Sequence, residues 1–172
     1  MQDKNRITHI ASLAAFAAIA IIFGYVEALI PLNFGIPGVK LGVANLVILI
    51  MMYRTHAACS FGDMLAVDIV RIVIVGFLFG NMYGIIYSLC GGVVSLVFMY
   101  ILKRSNCLGM IGVSIIGGVT HNLAQLIVAM IVVDQLKIVF YAPVLLLSGT
   151  ICGCLLGVIG NLIVIRLNSF RG

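Results

Sequence analysis

Apolar residues run along this chain in long, unbroken stretches, separated by short segments that are rich in charged residues, proline and glycine. Such stretches lack the alternation of barrel strands and are longer than buried strands, so they predict membrane-crossing helices. The pattern gives six segments, at residues 8–30, 41–53, 63–80, 82–102, 108–133 and 138–165. The second is shorter than the roughly 20 residues that a crossing requires, so it either extends at one end or enters the bilayer only partway. We predict six crossings in a single transmembrane domain over residues 1–172.

Composition agrees with this pattern. Hydrophobic residues make up 63% of the chain and charged residues 9%, and the mean hydropathy is +1.28. Soluble domains contain about one half apolar and about one quarter charged residues. Most of the outer surface must therefore face hydrocarbon, where the backbone is paired only within helices or closed barrels. We expect an all-α integral membrane protein, a six-helix bundle in the plasma membrane.

The basic residues predict the orientation. With a cytoplasmic N-terminus, the outer side would carry only Lys40 and Lys137, and the inner side would carry seven Lys and Arg residues. These seven are Lys4, Arg6, Arg54, Lys103, Arg104, Arg166 and Arg171. Because Lys and Arg concentrate on the cytoplasmic side, both termini are predicted to be cytoplasmic. The first apolar run is too long for a cleaved signal peptide, so it is predicted to be a retained helix.

Catalytic and metal-binding motifs are missing from the sequence. It has no Walker-type phosphate loop, aspartate-rich motif, zinc-protease motif or nucleophile elbow. Its five cysteines are odd in number, and Cys152 and Cys154 point apart on a helix, so we expect neither a disulfide framework nor a metal site. The net charge of +5 is explained by the inner-face basic residues, so no nucleic-acid partner is expected. We predict no catalytic residues and no cofactor.

Small residues recur at helical spacing in three of the segments. They are Gly84, Ser88 and Gly92 in the fourth, Gly112, Gly117 and Gly118 in the fifth, and Gly149, Gly153 and Gly157 in the sixth. Such stripes let helix backbones approach closely. They are compatible with packing inside one chain, with a homodimer contact, or with a route for a ligand.

Polar residues inside the segments carry most of the functional information, because a polar group in hydrocarbon is expensive and normally faces the bundle interior. Arg71 lies about 13 Å from the cytoplasmic end of its segment, close to the midplane. The outer half of the bundle gathers most of the others, which would form a polar pocket open to the outside and covered by residues 31–40. The predicted substrate-binding residues are Glu27, Lys40, Asn45, Arg71, His121, Asn122 and Gln125.

Simpler interpretations remain open for these residues. Asp68 and Arg71, three residues apart on one helix face, either neutralise each other or leave Arg71 to meet an anionic group of a ligand. Glu27 is either a pocket residue or an interfacial charge that reaches water, and Lys40 is either a pocket residue or a loop cation. His121 is either a satisfied interior histidine or a ligand contact.

Several motifs resemble the Gx transporter family, which is labelled heptaprenyl diphosphate synthase component I. The motifs are Glu27 four residues before Pro31, PGVKLGVAN at 37–45, SLCGGVVS at 88–95, GVSIIGG at 112–118 and HNLAQ at 121–125. By fold, that family is grouped with the substrate-binding S components of energy-coupling factor transporters. The resemblance implies six helices and an outward-side pocket for a vitamin-like or isoprenoid-related solute. The missing catalytic motifs predict that the chain is not itself an enzyme.

The resemblance also implies partners. S components dock on a transmembrane coupling protein with two ATPase subunits, through small residues near the cytoplasmic end of the first helix. The corresponding face here is Ala11, Ala14, Ala15 and Ala18. The family label supports an alternative, a membrane subunit that assists a prenyl diphosphate synthase in quinone biosynthesis. A third possibility is a structural subunit of a membrane redox or quinone assembly.

Overall fold

The computed structural model describes residues 2–29, 42–54 and 59–169. Within these ranges the chain forms six α-helices and one short 3-10 helix, with no strand. The helices are α1 (Gln2–Leu29), α2 (Asn45–Tyr53), α3 (Phe61–Phe79), α4 (Met82–Ser105), α5 (Met110–Val133) and α6 (Ala142–Ser169), and the 3-10 helix Leu136–Tyr141 precedes α6. The predicted all-α class is confirmed for this part of the chain. Lys40 and the predicted cover at 31–40 lie outside the described residues.

Four of the helical segments are long and apolar enough to cross a membrane. They are Arg6–Leu29, Met82–Ser105, Met110–Val133 and Leu136–Ser169. The other two helices differ for separate reasons. The nine residues of α2 extend only about 14 Å, and α3 carries Asp63, Asp68 and Arg71 within its 19 residues. Six crossings and two cytoplasmic termini stay predictions.

The short helix α2 lies in the centre of the bundle. All of its residues from Asn45 to Met52 are buried, and it packs against α1, α3, α4, α5 and α6. Its apolar side chains form the main core together with residues such as Met64, Leu96 and Met110. Such an environment suits a helix that is apolar on almost every side. The burial of α2 places its first residue, Asn45, inside the bundle.

Specific polar contacts fix the ends of α2 and α3. Lys103 donates a hydrogen bond to the carbonyl of Met52 in the last turn of α2. A cation there balances the partial negative charge of the helix end. The hydroxyl of Ser60 accepts from the N–H of Asp63, and the Asp63 carboxylate accepts from the N–H of Ser60, which makes a capping box at the start of α3.

The glycine stripe of α6 is used inside the chain, against α5. A Cβ at Gly149 would lie 2.8 Å from the Gly118 carbonyl oxygen, and a Cβ at Gly153 would lie 2.7 Å from the Ser114 carbonyl oxygen. Real Cβ atoms essentially never approach so closely. The two helices therefore pack backbone to backbone over this stretch, as small residues permit. The homodimer interpretation is not needed to explain the α6 stripe.

Candidate functional site: a buried polar cluster

Gly42, three residues before the start of α2, lies between two groups of polar side chains. On one side, the Glu27 carboxylate accepts a hydrogen bond from the Gly42 N–H, with 2.5 Å between Oε1 and N. On the other side, a Cβ at Gly42 would lie 3.1 Å from Asn45 Nδ2 and 3.3 Å from His121 Cδ2. The φ of Gly42 is +77°, in the left-handed region that glycine adopts without strain. Both the conformation and the lack of a side chain are therefore needed at this position.

Asn45, His121 and Gln125 form a continuous polar contact between α2 and α5. The ring Nδ1 of His121 lies 3.4 Å from Asn45 Nδ2, and its Nε2 lies 2.9 Å from Gln125 Nε2. All three side chains are buried. Because a neutral imidazole has one donor and one acceptor nitrogen, one amide must face the ring through its oxygen and the other through its NH2 group. The two amides, one on each ring nitrogen, therefore hold the His121 ring in a defined orientation.

Small residues of α4 make room for this cluster. A Cβ at Gly91 would lie 2.9 Å from His121 Cε1 and 3.0 Å from Gln125 Cγ. Ser95 lies 3.5 Å from Asn45 Nδ2 through its hydroxyl oxygen, and that hydroxyl donates to the Gly92 carbonyl at 3.0 Å. The two α5 side chains therefore occupy space that a larger residue on α4 would fill.

Arg71 forms an ion pair within α3. Its guanidinium lies 2.5 Å from Asp68 Oδ1, and both side chains are almost completely buried. The other carboxylate oxygen of Asp68 packs so closely on Gly92 that no side chain would fit there. On the α1 side, a Cβ at Gly24 would lie 3.6 Å from Arg71 Cγ. The pair therefore lies between α1, α3 and α4. It packs on Gly92, the residue after Gly91, which itself lies against His121 and Gln125.

Asn122 makes its contacts on a different side of α5. Its amide Nδ2 donates to the Leu145 carbonyl at 2.8 Å and to the Ser148 hydroxyl at 3.2 Å. Both acceptors belong to α6, next to the close approach of Gly118 and Gly149. These hydrogen bonds connect α5 to α6. Asn122 points toward α6, whereas its neighbour His121 points toward Asn45 and Gln125.

Five buried polar atoms lack a hydrogen-bond partner among the described residues. They are Glu27 Oε2, Asp68 Oδ2, Arg71 Nε, Ser88 Oγ and Asn122 Oδ1. A buried polar group without a partner is costly, and in native proteins it is normally paired with protein, water or ligand. These atoms come from four different helices, α1, α3, α4 and α5. At each of them an additional polar group would be stabilising.

The predicted substrate-binding residues divide into three sets in the structure. Glu27, Asn45 and His121 adjoin Gly42, and Gln125 contacts His121. Arg71 pairs with Asp68, and Asn122 faces α6. Lys40 lies outside the described residues. Sequence reasoning missed Gly42, Gly91 and Ser95 as parts of the cluster. All three lie inside the motifs at 37–45 and 88–95. The motifs therefore pointed to these positions, but only the structure shows which side chains they contact.

Two further features bear on ligands. Within the described ranges, no group of three or more His, Cys, Asp or Glu residues is placed to hold a metal ion. An apolar groove of about 390 Å³ runs between α4 and α5 on the outside of the bundle. Its lining includes Val94, Phe98, Leu123 and Ile127, with Thr120 as a polar member.

The alanine face of α1 is exposed. Ala11, Ala14, Ala15 and Ala18 are all exposed. The opposite face of the helix packs on the core through residues such as Phe16 and Ala20. This face is therefore available to lipid or to another protein.

A family model described as heptaprenyl diphosphate synthase component I matches residues 16–163. The match includes every residue of the polar cluster and all of α2, α3, α4 and α5. No curated protein and no solved structure matches the chain.

Proposed function

We propose that this chain, which belongs to the heptaprenyl diphosphate synthase component I family, is the membrane-embedded substrate-binding subunit of a small-molecule uptake transporter. The proposal rests on a buried polar cluster: Glu27, Asn45 and His121 adjoin Gly42, and Gln125 contacts His121. Ionisable and polar side chains inside a membrane bundle are expensive, and they usually mark the path or the site of a solute. The unpartnered oxygen of Glu27 supports a site that receives a further polar group.

The proposed subunit works in the plasma membrane with its pocket toward the outer side. The distribution of Lys and Arg supports that orientation. The sequence has no nucleotide-binding motif, so the energy for uptake would come from partner subunits, a transmembrane coupling protein with ATPases. The exposed alanine face of α1 is the surface we assign to that contact, because small side chains let two helices approach closely.

Identification of the bound solute tests the proposal. The protein is purified in mild detergent, and the small molecules released on denaturation are identified by mass spectrometry. Gln125→Leu removes one polar partner at nearly constant volume, and it should weaken solute binding roughly 5- to 150-fold, as the loss of one buried hydrogen bond implies. Thr150→Val, at an exposed position of α6, is the matched control and should retain the solute. Wild-type protein that carries and binds no solute would contradict the proposal.

A second candidate function is a non-catalytic membrane subunit that assists a prenyl diphosphate synthase. The family description and the apolar groove between α4 and α5 favour it, since the groove could cover part of a prenyl chain. The chain lacks aspartate-rich motifs, so binding and reaction of the Mg²⁺–diphosphate would belong to the partner. Copurification separates the two: a coupling protein with ATPases supports the transporter, and a catalytic synthase subunit supports the alternative.

A further inference from the structure

In the described part of the chain, buried acidic side chains outnumber buried Lys and Arg side chains. Among the described residues, the buried charged side chains are Glu27, Asp68 and Arg71. Arg71 is committed to Asp68, with which it forms an ion pair at 2.5 Å. Glu27 therefore has no Lys or Arg partner in the described part of the chain.

The two oxygens of Glu27 have different environments. Oε1 is held by the Gly42 N–H, whereas Oε2 is buried and has no hydrogen-bond partner among the residues that the structure describes. The residue as a whole is 6% exposed, so water does not compensate the charge well. A buried carboxylate is stabilised when a cation with N–H donors meets it. Oε2 is the atom that would receive such a donor.

The side chains on the other side of Gly42 from Glu27 are amide and imidazole groups. Through Gly42 the carboxylate adjoins Asn45 and His121, and His121 in turn contacts Gln125. These side chains offer amide and imidazole hydrogen bonds, and none of them is a Lys or Arg. A hard metal cation prefers six or more oxygen ligands, which this set of nitrogen-rich side chains does not provide.

We infer that the transported solute carries a cationic nitrogen, an organic ammonium or amidinium group, and that Glu27 is its counter-ion. The inference rests on the proposed function and names its substrate class. It differs from one of the two interpretations that the sequence left open for Arg71, in which Arg71 meets an anionic group of a ligand. Because Arg71 is paired with Asp68 within α3, we expect Glu27 to determine that the ligand carries a positive charge.

Glu27→Gln is the decisive variant. The Gln side chain keeps an Oε1 that can accept from the Gly42 N–H, so the fold should be retained while the charge is lost. Asp134→Asn is the matched control, because it removes the same charge from an exposed position after α5. The solute released from wild-type protein should contain a basic nitrogen. Glu27→Gln should bind that solute roughly 10- to 100-fold more weakly, and Asp134→Asn should bind it normally.

A set of three probes tests the sign of charge without the natural solute. Benzylammonium, benzyl alcohol and benzoate share one ring and differ in charge. Benzylammonium alone should raise the Tm of the wild-type protein, and Glu27→Gln should abolish that response. A response to benzoate, or an equal response to all three probes, would overturn the inference.

Two other outcomes would also overturn it. A released solute that lacks a basic nitrogen, and that Glu27→Gln still binds, would leave the transporter proposal intact and remove Glu27 as the counter-ion. If Lys40 neutralises Glu27 instead, Glu27→Gln and Lys40→Met would each lower the Tm, and the double variant would restore it. Failure of the transporter proposal is distinct from both, since wild-type protein would then release no solute.

Discussion

The carboxylate of Glu27 accepts a hydrogen bond from the backbone N–H of Gly42, with 2.5 Å between Oε1 and N, and so ties the end of α1 to the chain just before α2. Gly42 also packs closely against Asn45 and His121. One backbone position thus aligns a side chain of α1 with side chains of α2 and α5. The position of the whole cluster depends on it.

Gly42→Ala should destabilise the protein by about 1–2 kcal/mol, because alanine is strained at a left-handed φ. The new Cβ would also press on Asn45 and His121, at 3.1 and 3.3 Å. We therefore expect weaker solute binding together with a lower Tm. Gly62→Ala is the matched control, since its Cβ would lie an ordinary 3.7 Å from Ser60 Oγ. Equal Tm values for the two variants would show that Gly42 is not critical.

Arg71→Gln should destabilise the protein by about 3–5 kcal/mol, because it leaves the buried Asp68 carboxylate without its cation. The double variant Asp68→Asn/Arg71→Gln should recover most of that loss, since neither charge remains. Thermal unfolding in detergent measures both effects. A double variant as unstable as Arg71→Gln would show that the ion pair is not the main reason for the burial of Arg71.

Cysteine labelling tests the predicted orientation. Cys107 is exposed between α4 and α5, on the side that the basic residues assign to the cytoplasm. A membrane-impermeant maleimide should not label it in intact cells, whereas it should label Leu136→Cys, at a position 82% exposed. External labelling of Cys107 would reverse the orientation.

Cys59, between α2 and α3, should react slowly even with a permeant maleimide. Burial, and secondarily the charge of Asp63, raise the pKa of its thiol. The thiolate is the reactive form, so its fraction at neutral pH is reduced and the labelling rate should increase as the pH rises. The measurement is the rate of modification by mass spectrometry between pH 7 and pH 9 (roughly the range in which free thiols titrate). A rate that does not change with pH would contradict this.

The double change Ala14→Leu/Ala18→Leu should leave the protein inserted and folded, because leucine suits a lipid-facing position. It should prevent copurification with a coexpressed coupling protein if the exposed alanine face is the docking surface. Ile22→Leu, also on an exposed part of α1, is the control that changes shape without adding bulk. Unchanged copurification would remove the alanine face from the proposed contact.

The sequence by itself determined the class of this protein and most of its helices. Long apolar runs with few charges can satisfy their backbone in hydrocarbon only as helices, so class and approximate boundaries follow from local composition. Because a polar side chain in hydrocarbon is costly, the sequence also predicts that Glu27, Asn45, His121 and Gln125 face the interior. All four are buried. A polar residue within a membrane-spanning segment avoids lipid and faces the interior of the bundle.

The tertiary structure decided which partners those residues meet. His121 and Asn122 are adjacent in sequence, yet one turns to Asn45 and Gln125 and the other to α6, because consecutive residues on a helix point about 100° apart. The central position of α2 was equally beyond the sequence, since lipid and a protein core both accept a helix that is apolar all round. The role of Gly42 depends on a backbone angle, on the nearby Asn45, and on Glu27 and His121, which are distant in the chain. Such relationships are set by how helices pack, and no local pattern contains them.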